Sequence, residues 1–168
     1  MSQYQRLLLI ADHTLPHSLA AQRAVALATA SGAALHITAL VQLPPRIRFI
    51  EQPMDEKALE AHLEKYREWL SEVVGAMSTE RVEITSEAIL AEKSLEEILL
   101  HVRELKPDLL IKDVHVEPLL NRVFSHPLDW QLLQECPVPV HLVNQAKSPL
   151  PRRIVAAVDP PNQPSWER

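Results

Sequence analysis

The side chains best equipped for chemistry gather between positions 113 and 127: Asp113, His115, Glu117, Ser125 and His126. Imidazoles beside carboxylates suggest a metal centre, since nitrogen and oxygen donors are what zinc binds. His115 and Glu117 are one residue apart, so they share a side only in extended chain. A structural zinc needs four ligands, and no further partner stands at a standard spacing. Solvated loop side chains, with one histidine capping a helix, are the plainer reading. Ser125 and His126 do not make a nucleophile–base pair, because adjacent residues rarely face each other and no G-x-S-x-G elbow surrounds them. Cys136 lies among Leu132, Leu133, Val138 and Val140, which predicts an inert buried thiol. No activated nucleophile is legible, and the chain reads as a non-enzyme.

Phosphate chemistry is missing a different ingredient. A phosphate-cradling loop uses glycines so that backbone N–H groups can approach the anion without a Cβ in the way. The chain has two glycines, Gly32 and Gly75, and neither lies in such a loop. The stretch from Asp113 to Pro118, continuing to Ser125-His126-Pro127, has none.

The elements that must position these residues alternate. Leu7 to Ala11 is a continuous apolar run ending at Asp12, the pattern of a strand buried on both faces. Pro16 suits a helix start, and the Ala-rich segment from Leu19 to Ala30 stops at Ser31-Gly32. Leu35 to Val41 is a second strand, closed by Pro44-Pro45 and a polar loop to Pro53. Leu59, Leu63, Tyr66, Leu70 and Val73 form one apolar stripe of a long helix from Asp55 to Val74, with Gly75 as its expected cap. Its Tyr66, Trp69 and Leu70 read as core rather than ligand platform. Its acidic residues, interleaved with Lys57, Lys65 and Arg67, read as a solvated face.

Val82 to Leu90 is a third strand. Ser94-Leu95-Glu96-Glu97 is a capping box opening a helix with Leu95, Ile98, Val102 and Leu105 inward. Lys106-Pro107-Asp108 stops it. Leu109 to Ile111 is a fourth strand, Pro127 to Glu135 a short helix, and Val138 to Val143 a fifth strand. This order predicts an α/β, Rossmann-like domain: an open, mainly parallel five-stranded sheet with helices on both faces. Ligands in such sheets bind beyond the carboxyl ends of the strands, which directs attention to the loops after Ala11, Val41 and Ile111.

Composition narrows the partners. A net charge of −5 without a clustered Lys/Arg run argues against nucleic acid, which needs a basic face. No apolar run is long enough to span a bilayer, and the N-terminus lacks a secretory pattern, so a cytoplasmic protein away from membranes is expected. One cysteine cannot form an internal disulfide, which suits a reducing compartment.

The chain also repeats itself. Arg153-Ile154-Val155-Ala156-Ala157-Val158-Asp159 has the form of Arg6-Leu7-Leu8-Leu9-Ile10-Ala11-Asp12: a basic residue, five apolar residues and an aspartate. The expected organisation is a domain over 1–145, a linker over 146–152, and over 153–168 the first strand of a truncated second repeat.

With these elements the sequence resembles the universal stress protein (UspA) family. The resemblance rests on the strand ending in Asp12, the strand ending at Leu40-Val41, and Cys136-Pro137-Val138-Pro139-Val140-His141-Leu142-Val143. That last segment is similar to the family's P-x-P-V-hydrophobic-V fifth strand. Pro127-Leu128-Asp129-Trp130-Gln131-Leu132-Leu133 further resembles the first domain of the tandem, UspE-type branch. The resemblance implies the adenine nucleotide alpha hydrolase-like (HUP) fold. Nucleotide-binding members carry G-x2-G-x9-G-(S/T) after the fourth strand, and its positions fall here on Asp113, Val116, His126 and Pro127. None matches. Asp12 and the Val41 backbone fit the family's adenine-side pattern, although Asp12 reads equally well as a carboxylate at a helix start.

The implied function is that of a degenerate, non-catalytic first domain without an ATP cofactor, serving stress response through assembly or partner binding. The implied partner is a second copy or a second domain, joined through Val138 to Val143 as a homodimer or pseudo-dimer. The alternative is a small-molecule binding protein using the same cleft, where Val114, Val116, Leu119 and Leu120 favour a less charged ligand.

Overall fold

A computed structural model describes residues 4–41, 56–78, 81–90, 94–114, 128–144 and 150. Five strands form one sheet: β1 (Arg6–Ala11), β2 (Ala34–Val41), β3 (Ile84–Leu90), β4 (Leu109–Asp113) and β5 (Val140–Val143). The helices are α1 (Leu19–Ser31), α2 (Glu56–Met77), α3 (Ser94–Leu105) and α4 (Leu128–Glu135), and a 3-10 turn over Leu15–His17 precedes α1. The strand order is β3-β2-β1-β4-β5, and every pairing is parallel. The expected α/β architecture is therefore the observed one.

The apolar strands run without interruption because both faces are covered. Leu7, Leu9, Leu35, Ile37 and Ile111 pack with α1 and α2, while Leu8, Ile10, Leu40 and Leu110 pack with Ile98, Val102 and Leu132 of α3 and α4. Ala20, Ala24 and Ala28 are fully buried, so α1 seats close to the sheet through its smallest side chains. Gly32 ends α1 at φ +72, with its N–H on the Ala28 carbonyl at 2.8 Å. The left-handed cap explains why a glycine stands there.

Two local expectations are corrected. Gly75 does not cap the long helix, which runs on to Met77. Among the described glycines only Gly32 has a positive φ, so Gly75 stays helical and Met77 packs on the core. Cys136 is half-buried rather than buried, packed at the edge of the second core. Burial pushes its thiol pKa up, against a smaller opposing effect of a hydrogen bond from the Val138 backbone. That keeps it a poor nucleophile, as its surroundings suggest. Lys106 after α3 takes φ +46, a strained conformation for a side-chain-bearing residue, directly before Pro107.

His115, Val116, Glu117, Leu119, Leu120, Ser125, His126 and Pro127, the Pro44–Pro53 loop, the linker apart from Leu150, and the 153–159 repeat lie outside the described residues.

Candidate functional site

Order reverses on either side of β1, whose neighbours are β2 and β4. In a parallel sheet a crevice opens at that switch point, beyond the carboxyl ends of the strands. Asp12 follows β1, Val41 ends β2 and Asp113 ends β4, so three of the sequence-selected positions come to one edge of the sheet.

Asp12 is engaged in its own turn. Its Oδ1 accepts from the Thr14 N–H and the Thr14 hydroxyl, both at 2.7 Å, and its carbonyl accepts from the Leu15 N–H at 3.1 Å. This is an Asx-type turn that starts the Leu15–His17 segment, the plainer of its two readings. Tyr66 of α2 lies close enough to feel the carboxylate. Burial pushes the Tyr66 phenol up to about 12, and Asp12 adds to the shift. Its ring meets Trp69 edge-on, with centroids 4.8 Å apart, and both pack on the first core. Leu70 beside them is fully buried, so this stripe is core. On the outer side of α2, exposed Arg67 bridges Glu60 at 2.7 Å and Glu64 at 3.0 Å, a solvated face as expected.

Asp113 has a different task. Its Oδ1 accepts from the Ala20 N–H at 2.9 Å, and its Oδ2 takes the Ser18 hydroxyl hydrogen. Ser18 is the N-cap of α1, and its Oγ in turn accepts from the Ala21 N–H at 2.8 Å. A hydroxyl can donate once while accepting, so the relay is internally consistent. The result is a carboxylate on the positive end of α1, held by one backbone N–H and the capping hydroxyl.

Next to it, Lys112 turns to the opposite face. Its Nζ lies 2.8 Å from Asp129 Oδ1 of α4 and donates to the Asp113 carbonyl at 2.9 Å. Both side chains are largely buried, so the pair ties α4 to β4. Ser18, Lys112 and Asp129 escape a sequence reading as a site. A lysine inside an apolar strand is the one signal that could have exposed the pair, because a buried amine requires a counter-charge.

An apolar hollow of about 400 Å³ lies beside the start of α1, lined by Leu15, Pro16, Ala21, Val25 and Met77 among others. Among the described residues no group of three or more His, Cys, Asp or Glu is arranged to hold a metal ion. No described helix is long and apolar enough to cross a membrane.

A parallel 3-2-1-4-5 sheet with helices on both faces defines a Rossmann-like α/β domain, and the family follows from comparison. The universal stress protein family model matches residues 3–144, and the chain belongs to that family. It is similar to Universal stress protein E of Photorhabdus laumondii, 26% identical over 99% of this chain and 54% of that protein. To the Universal stress protein E homolog of Haemophilus influenzae it is 30% identical over 58% of this chain and 31% of that one. The chain thus spans about half the length of the first of these relatives and less of the second. Among solved structures, a universal stress protein family member from Burkholderia pseudomallei superposes with TM-score 0.61 at 20% identity, over 85% of this chain and 98% of that one. UspA from Lactobacillus plantarum gives 0.57 at 15% identity, over 85% and 99%. These two likenesses concern the fold.

Proposed function

We propose that this chain is a non-catalytic universal stress protein module, the degenerate first domain of a tandem protein, which serves stress response through assembly or partner binding. Family membership supports the stress-response role. The observation that carries the rest is the Asp113 carboxylate on Ala20 N–H and Ser18 Oγ. Where the family motif begins with a glycine, this chain supplies its own anion to a helix N-terminus. A phosphate about 4 Å from that carboxylate would meet a repulsion of about 1 kcal/mol in water-like surroundings and about 4 kcal/mol near a protein surface. Val116, His126 and Pro127 at the other motif positions remove the remaining glycines and hydroxyl. Asp12 and Val41 are then vestigial adenine-side positions.

Partner binding is supported by the β5 edge of the sheet. Among the described residues β5 pairs with β4 alone, so its other side offers backbone donors and acceptors to a further strand. Trp130 and Leu133 of α4, which packs beside β5, are more than half exposed. The domain over 1–145 with a linker over 146–152 and the beginning of a second repeat accords with a relative about twice as long.

A second reading, binding of a small uncharged molecule, is favoured by the 400 Å³ apolar hollow beside α1. Native mass spectrometry of freshly purified protein separates the two. The expected spectrum is a dimer without retained nucleotide or metabolite; a monomer carrying a stoichiometric small molecule contradicts the first reading and supports the second.

A further inference from the structure

On the sheet face away from Asp113, two histidines converge on one carboxylate. His36 Nε2 and His101 Nε2 each lie 2.8 Å from Glu87 Oε1, and the Thr38 hydroxyl reaches the same oxygen at 3.3 Å. The fold explains the meeting. His36 and Thr38 share one face of β2 and stand across from Thr85 and Glu87 of β3 in parallel register. His101 is buried on α3 together with Ile98 and Val102, which seat that helix.

The second nitrogen of each ring fixes the proton count. His101 Nδ1 lies 2.9 Å from the Glu97 carbonyl oxygen. A carbonyl only accepts, so Nδ1 carries a hydrogen, and Nε2 can also donate to Glu87 only if His101 holds both ring protons. His36 makes no such demand. Its Nδ1 faces the Thr85 hydroxyl at 2.7 Å, which can donate, so a single proton on Nε2 completes that ring. All the contacts coexist only when one extra proton is shared between Glu87 and His101. A metal ion does not replace that proton: ligands on a tetrahedral zinc stand about 3.3 Å apart, beyond the 2.8 Å seen here.

We propose that His36, Glu87 and His101 form a proton-dependent clasp that seats α3 on the β2–β3 side of the sheet and loosens as pH rises. Other charges surround it. Arg6 of β1 and Glu104 of α3 line the hollow beside His36 and Thr85. Arg67 of α2 lines a hollow together with Glu87, and is itself held by Glu60 and Glu64. Glu97 of α3 contributes its carbonyl. None of these replaces the shared proton, because none lies between the two Nε2 atoms and Glu87 Oε1. When it leaves, a nitrogen lone pair faces a carboxylate, and attraction becomes repulsion.

On this proposal the clasp contributes stability while the shared proton is present, and its contribution is lost as pH rises. His141 of β5 works in the opposite direction. Burial, and then the positive charge of Arg23, lower its pKa from 6.5. Its contribution is complete above 6.5 and is lost as pH falls through the lowered value. Comparison with a clasp variant at each pH removes this background.

The test is urea unfolding of the full, chelator-treated chain and of Glu87→Gln at about pH 6 and about pH 8. From the lower to the higher pH, the folding constant of the unaltered chain should fall about three- to tenfold relative to that of Glu87→Gln. Equal pH dependence in the two proteins overturns the clasp. Should Glu87→Gln fail to fold, side-chain 15N spectra of the unaltered chain decide. Both ring nitrogens of His101 should be protonated at about pH 6, and an unprotonated Nε2 facing an ionised Glu87 carboxylate there overturns the proposal.

Discussion

Asp113 and Glu87 each hold a helix against the same sheet, on opposite faces and by different chemistry. Asp113 is bound by a hydroxyl and a backbone N–H at the positive end of α1, neither of which titrates near neutrality. Glu87 is bound by two imidazoles on the other face. On the proposals above, the first arrangement is a permanent internal anion and the second a conditional one. A carboxylate on a strand therefore says little by itself; the donors that the fold brings to it decide its task.

The most severe perturbation uses a third anchored carboxylate as a reference. Asp129→Ala leaves Lys112 buried without its counter-charge, and should cost about 3–5 kcal/mol in chemical denaturation. Adding Lys112→Met to Asp129→Leu should recover most of that loss, since an apolar pair of similar volume often matches a buried ion pair. A loss below about 1 kcal/mol for Asp129→Ala would mean that the pair is solvated. Asp113→Ala is milder. It removes the acceptor of Ser18 and Ala20 at the start of α1, and about 1–2 kcal/mol of stability should go with it, with little dependence on pH around neutrality. A pH dependence as steep as that of the Glu87 clasp would erase the distinction between the two carboxylates.

The fold was legible because its strands are buried on both faces. Leu7 to Ala11 and Leu109 to Ile111 admit few other readings, and the stops at Gly32 and Lys106-Pro107 mark element ends. Gly75 misled because a helix tolerates glycine at modest cost when its neighbours favour helix. The site was legible only as a set of positions. Asp113 could be recognised as foreign to a phosphate loop, but its partner Ser18 stands 95 residues away, and no local pattern joins them. The clasp left one trace, a histidine in the inward stripe of α3; its counterparts on β2 and β3 needed the register of the sheet. Lys112 left a similar trace in β4, with Asp129 visible only once α4 is packed.

The central claim, that Asp113 closes the nucleotide site from within, is tested most directly by isothermal titration of Mg-ATP into the purified chain at physiological salt. The account predicts no saturable binding up to about 1 mM, a free energy weaker than about −4 kcal/mol. Saturable one-to-one binding tighter than about 1 mM would show that the carboxylate leaves α1 to admit phosphate, and would contradict it.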